Sequence, residues 1–199
     1  MYRPNHFKMN DTQLIQELVS DYPLGCLISS SENYLQTNYL PFLLEGGFLI
    51  SHMAKANPQV EHLDGSFVVV TFQGPERYIS PSWYKSAMQV PTWNYAVVEV
   101  RGRIEILGQP NEIEEILQKS VTQFEAMNNT AWKYNLPEKF RNELIKHIVG
   151  VKIHIEQIEG KFKLSQNRDS QDRESVKTEL FQSSHSKDLA MLKLMKTLF

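Results

Sequence analysis

The sequence carries a single cysteine, Cys26, among its 199 residues, so no internal disulfide forms and a cysteine-based zinc site is excluded. Cys26 lies in the apolar run Leu24–Ile28, where a small buried side chain is expected rather than a nucleophile. GxGxxG and GxxxxGK[ST] are both absent, which leaves a dinucleotide fold and a P-loop without support. No GxSxG elbow occurs. The histidines His6, His52, His62, His147, His154 and His185 show neither HxxxH nor HExxH spacing. Positive charge is not in excess: 21 Lys and Arg stand against 23 Asp and Glu, a net charge of −2. No global field therefore draws in nucleic acid or an anionic membrane. The apolar run Phe67–Phe72 is far too short to span a bilayer. Met1–Lys8 lacks the apolar core of a signal peptide, so the expected location is cytoplasmic.

What is present reads as an ordinary globular chain, 41% hydrophobic and 22% charged, long enough for one domain with a small appendage. A first helix is signalled by Asn10 and Gln13 at capping-box spacing, with Leu14, Ile15, Leu18 and Val19 on one face and Pro23 at its end. Strand patterns follow at 24–30, 34–44 and 48–53, the last two joined by a hairpin turn at Glu45-Gly46-Gly47. Asn57-Pro58 starts a short helix to Leu63. Residues 66–73 and 95–107 are strands, with Gly102 marking a bulge. Helices are then expected behind Asn111 and from Pro137 to Gly150, strands over 151–158 and, after a turn at Gly160, to Asn167, and helices over 174–182 and 187–198. About six or seven strands without βαβ alternation fit a mostly antiparallel barrel with peripheral helices, an α+β class dominated by β.

Two segments carry candidate chemistry. Gly74–Tyr95 holds Tyr78, Trp83, Tyr84, Trp93 and Tyr95 between Pro75, Pro81 and Pro91. Polar-tipped aromatics on a proline-stiffened backbone suit a planar ligand, a subunit interface, or capping of the chain's own core. Phe48–Gln59 runs from a strand into His52, Lys55 and Asn57 at a helix start. A cation beside free backbone N–H groups accepts a phosphate; the alternative is a solvated lysine and a strand-end histidine. The C-terminal stripe Leu189, Leu192, Met195 and Leu198 is expected to pack on the body rather than to bind a partner.

Met1-Tyr-Arg-Pro-Asn-His-Phe, Leu40-Pro-Phe-Leu-Leu, His52-Met-Ala-Lys-Ala-Asn-Pro-Gln, Gly74-Pro-Glu-Arg-Tyr-Ile-Ser-Pro-Ser-Trp-Tyr, Val90-Pro-Thr-Trp-Asn-Tyr and Lys163-Leu-Ser-Gln-Asn together resemble the PaiB family of bacterial negative regulators of transcription, which act on protease production and sporulation. The resemblance spans nearly the whole chain in order. It implies an FMN-binding split barrel: residues 1–170 as an antiparallel split β-barrel with inserted helices, and 171–199 as a helical extension packed on the same domain. It further implies a cytoplasmic homodimer with FMN in clefts between subunits. The strand bearing Asn38 and Leu40 would pass along the isoalloxazine, and His52, Met53, Lys55 and Asn57 would hold the phosphate end. Tyr78, Trp83 and Trp93 would line the cleft, and Ser165 and Gln166 would close it from the second subunit. The arginine of the related oxidases' R-x-x-L-L-K strand has no counterpart in Thr37–Phe42. A flavin-dependent oxidoreductase or flavin reductase is the competing class. No helix-turn-helix signature or basic face is visible, so a regulatory role would work through specific DNA or a partner protein.

Overall fold

The computed structural model describes residues 1–31, 34–183 and 185–199. Among them are β1 (Lys8–Met9), α1 (Thr12–Asp21), β2 (Leu24–Ser31), β3 (Tyr34–Pro41), β4 (Leu43–Glu45), β5 (Phe48–Ala54), β6 (Phe67–Ile79), β7 (Thr92–Leu107), α2 (Pro110–Met127), α3 (Glu138–Ile145), β8 (Ile148–Lys163), α4 (Ser170–Gln182) and α5 (Ser186–Leu198). The strands form one sheet in the order β3-β2-β6-β7-β8-β5-β4, with β1 paired to β8. The expected antiparallel barrel with peripheral helices is the observed class.

Several boundaries differ from the sequence expectation, each for a local reason. The strand read over 34–44 is divided at Phe42, whose N–H donates to Pro23 O at 2.9 Å while its ring is fully buried. The Gly46-Gly47 hairpin is as expected, both glycines at positive φ. No turn interrupts β8 at Gly160; β8 instead changes the face it buries, from Val151 and Ile153 to Gly160 and Phe162. β6 makes the same change at Gly74-Pro75, two adjacent buried residues, so the strand runs on to Ile79 and the aromatic segment is a loop only over 80–91. Such a break in the alternation is where a strand tolerates proline. At Gly102 a Cβ would stand 1.9 Å from the His154 carbonyl oxygen; close approach of β7 and β8 explains that glycine. α1 is capped by Asp11, which accepts from the N–H groups of Gln13 and Leu14, rather than by Asn10. α2 starts at Pro110, and α4 starts at Ser170 with Asp169 as its cap.

The chain packs as two compact units: 1–18, 73–98 and 159–199 in the first, and 19–72 and 99–158 in the second. The second has a core of Leu27, Phe42, Leu49, Phe72, Val100 and Ile153, all fully buried. Phe42 and Phe72 meet edge to face at 5.9 Å, and a Cβ at Gly25 would lie within 3.0 Å of both rings and of Val70. The first unit is filled by Phe7, Met9, Ile15, Phe162, Leu180 and Met191. Leu192 and Met195 of the C-terminal stripe are buried in it, as expected, while Leu189 stays exposed.

Candidate functional site

In the second unit, period-two alternation along β5 buries Leu49, Ser51 and Met53 and turns Phe48, Ile50 and His52 to the other face. His52 is half-buried, and its Nδ1 is buried without a hydrogen-bond partner among the described residues. Burial holds its pKa below the ordinary histidine value, so the ring is neutral at pH 7. A neutral imidazole with a buried, unmet nitrogen fits a polar atom of a ligand. Past the end of β5, the Lys55 N–H donates to His147 O at 2.8 Å. The exposed Lys55 side chain has no ion-pair partner among the described residues. It lines a cavity of about 450 Å³ beside Pro110, Asn142 and Lys146, over Ile113 and Ile145. Lys146 is itself paired with Glu143 at 2.6 Å.

The other expected residues of this unit have partners inside the chain. Asn57 caps the 3-10 turn Pro58–His62, its Oδ1 accepting from Gln59 N–H at 3.0 Å. Asn38 Nδ2 donates to Gln59 Oε1 at 2.7 Å; Gln59, fully enclosed, donates onward to Ser29 Oγ at 2.8 Å and Gln36 O at 3.4 Å. This amide chain ties β2, β3 and the turn together. Leu40 and Met53 belong to the core. Residues of β3 that face outward are Leu35, Thr37 and Tyr39, which no sequence signal set apart from their neighbours.

The first unit holds the remaining candidates. Tyr78 and Trp93 meet edge to face, centroids 6.0 Å apart, and both are largely exposed. Trp83 ends the 3-10 turn Pro81–Trp83, with the Arg77 guanidinium 5.5 Å from its ring centroid. Arg77 Nε pairs with the fully buried Asp188 at 2.7 Å. Asp172, also buried, accepts from the N–H groups of Lys85 and Ser86 at 2.8 and 3.0 Å and so fixes the aromatic loop. Ser165 sits in the left-handed region, φ 68°. Its hydroxyl and the Asn94 amide bond reciprocally at 3.0 and 3.2 Å. Gln166 Oε1 accepts from Leu164 N–H at 2.6 Å and its Nε2 donates to Phe162 O, so this side chain folds back on its own strand. Lys163 Nζ donates to Thr92 Oγ1 and to Trp93 O. Burial, together with the nearby Arg168 and Lys161 charges, lowers its pKa.

Strand order and the antiparallel sheet define the fold as an antiparallel split barrel: the flavocytochrome Anf3 of Azotobacter vinelandii superposes with a TM-score of 0.65 over 86% of this chain and 77% of that one, at 16% identity. The family model described as "Putative FMN-binding domain" matches residues 1–157. The protease synthase and sporulation protein PAI 2 of Bacillus subtilis (strain 168) is 32% identical over 203 residues, 98% of this chain and 97% of its own. An uncharacterised protein of Aspergillus fumigatus is 31% identical over 219 residues, 82% of this chain and 84% of its own. The chain therefore belongs to the PaiB family of FMN-binding-domain proteins. No helix among the described residues is long and apolar enough to cross a membrane.

Proposed function

We propose that the protein binds FMN in the unit formed by residues 19–72 and 99–158 and acts as a flavin-bearing negative regulator of transcription, with the control of protease production and sporulation as its field of action. The observation that carries this reading is the unmet pair at the end of β5: among the described residues, a buried, unpartnered His52 Nδ1 and, three residues on, a lysine without a carboxylate. Lys55 holds the phosphate as a point charge, and neutral His52 meets a polar atom of the cofactor. Asn38, Leu40, Met53 and Asn57 contribute through the backbone they fix, because their side chains are engaged in the fold. Bound FMN supplies hydride and one-electron chemistry of its own, so no further acid or base is required of the chain.

The same reading includes a homodimer. On the outward face of β2, β3 and β6, Leu24, Leu35, Tyr39 and Phe67 are 59%, 71%, 68% and 48% exposed. Strand register sets Cys26 between Tyr39 and Thr71, and Ile28 between Thr37 and Val69, so these residues form one apolar patch. A patch of this kind is covered in solution by a second copy. The test is the absorption spectrum of freshly purified protein, followed by FMN titration and NAD(P)H addition. A flavin spectrum or micromolar FMN binding, without sustained NAD(P)H turnover, supports the reading. Failure to bind FMN at millimolar concentration refutes the cofactor, and rapid turnover refutes the regulator.

A further inference from the structure

The short strand β1 brings together two lysines that lie far apart in the sequence. Lys8 stands directly opposite Lys161 in the antiparallel β1–β8 pair. Like charges directly opposite on one face destabilise a sheet. Lys163 projects from the same face of β8, two residues on. Among the described residues no carboxylate lies within ion-pair distance of Lys8, Lys161 or Lys163; the neighbouring Glu159 is held by the Met1 amino group at 2.9 Å and by Arg3 at 2.7 Å. A protein of net charge −2 thus carries a row of three uncompensated lysines on one sheet face.

Aromatic rings stand beside the row. Lys161 Nζ is 5.4 Å from the Tyr95 ring centroid and 5.9 Å from that of Tyr2. Trp93 shares the outward face of β7 with Tyr95, is joined to Lys163 through its carbonyl, and meets Tyr78. Tyr2, Trp93 and Tyr78 are 83%, 53% and 41% exposed. Rings so open stand on a surface, whereas a small ligand is usually held in a concave site that buries most of it. Cations tracking a backbone with aromatics for the bases are the chemistry of single-strand recognition; in a duplex the base faces are already stacked. We propose that this face binds single-stranded nucleic acid, the phosphates along Lys8, Lys161 and Lys163 and the bases against Trp93, Tyr95 and Tyr78. The inference does not use His52 or Lys55, the residues of the other unit that carry the FMN reading.

The test is fluorescence anisotropy of a labelled oligothymidylate of about 12 nucleotides with the full chain, in a salt series, alongside the same length of duplex. The expected result is binding that weakens with salt at a log–log slope near −2, about 0.7 for each of three lysines. Duplex should bind at least about tenfold more weakly. Lys161→Ala should reduce the slope by about 0.7 without loss of thermal stability, since it relieves a like-charge pair. Trp93→Ala should weaken binding about 5- to 150-fold and leave the slope unchanged, because stacking is not ionic. FMN binding should be unaffected in Lys161→Ala, whereas Lys55→Ala should weaken FMN and leave single-strand binding unchanged. Absence of single-strand binding at low salt, equal affinity for duplex, or a slope indifferent to Lys161→Ala overturns the proposal. So does loss of FMN binding in Lys161→Ala, which would give the face to the flavin.

Discussion

Asp172 offers the most direct test of how the aromatic loop is held. Burial raises the cost of its charge, yet the N–H groups of Ser86 and Lys85 outweigh that cost and keep the carboxyl below its ordinary pKa. Each is a charge-assisted bond of about 1.5–3 kcal/mol. Asp172→Ala removes both, while partial exposure of the loop lets water recover some of the loss, so about 3 kcal/mol is expected. Asp172→Asn retains a neutral acceptor and should cost about 1–2 kcal/mol. The dependence on pH follows from the direction of the shift. A carboxyl with a lowered folded-state pKa contributes stability above its unfolded value of about 3.9, and that contribution is lost only as pH falls through the lower folded value. The anchor should therefore hold from neutrality down to about pH 4 and fail below it. Amide hydrogen exchange at Lys85 and Ser86 reports the local release, and thermal denaturation reports any share in global stability, with a fall of about 6–12 °C if the full 3 kcal/mol is global. Unchanged exchange at both amides in Asp172→Ala, with unchanged melting, would refute the reasoning.

Lys55→Ala should weaken FMN about 10- to 150-fold by the worth of one charged hydrogen bond, and riboflavin, without the phosphate, much less; equal losses in parallel titrations would remove Lys55 from the phosphate. Leu35→Glu with Tyr39→Glu should convert a sedimenting species of twice the chain mass into one of single mass, and an unchanged dimer would place the interface elsewhere. Ser165→Ala should destabilise by about 1–3 kcal/mol by leaving buried Asn94 groups unmet, and Ser165→Gly by less, because glycine accepts φ 68° without strain; denaturant melts giving the reverse order would show that the backbone there is not strained.

Element type was legible wherever one period persisted. The alternation along β7 and the apolar faces of α1 and α2 needed no tertiary information. Ends and interruptions were less so. A strand that changes its buried face, as β6 does at Gly74-Pro75 and β8 does before Gly160, looks in sequence like a strand followed by a turn. β1 is only two residues long, below what any periodicity can reveal, yet it sets Lys8 opposite Lys161. The basic row was invisible for the same reason: its lysines are neighbours only through strand pairing, and net charge averages them away.

The motif-bearing polar residues divide according to what the chain itself offers them. Asn38 is bonded to Gln59, Asn57 to the turn it caps, Ser165 to Asn94 and Gln166 to its own strand. A buried polar group costs free energy unless it is bonded, so a fold with polar residues at strand ends and turns must first satisfy them internally. Residue type and spacing cannot separate that need from ligand binding, because both select small amides and hydroxyls. Structure separates them by what is left over. His52 Nδ1 is left without a partner, and Lys55, Lys8, Lys161 and Lys163 are left without carboxylates, among the described residues. Five acidic residues serve Lys119, Lys146, Lys177 and Lys187, while Lys85, Lys133, Lys139, Lys152, Lys193 and Lys196 also lack an ion pair among the described residues, so position in the fold and not the missing carboxylate alone sets Lys55 and the β1–β8 row apart. Where an uncompensated cation lines a cavity, as Lys55 does past the end of β5, or stands in a row on one sheet face, as along β1 and β8, an anion meets little competition from the protein's own groups, the flavin phosphate at the first and a phosphate chain at the second.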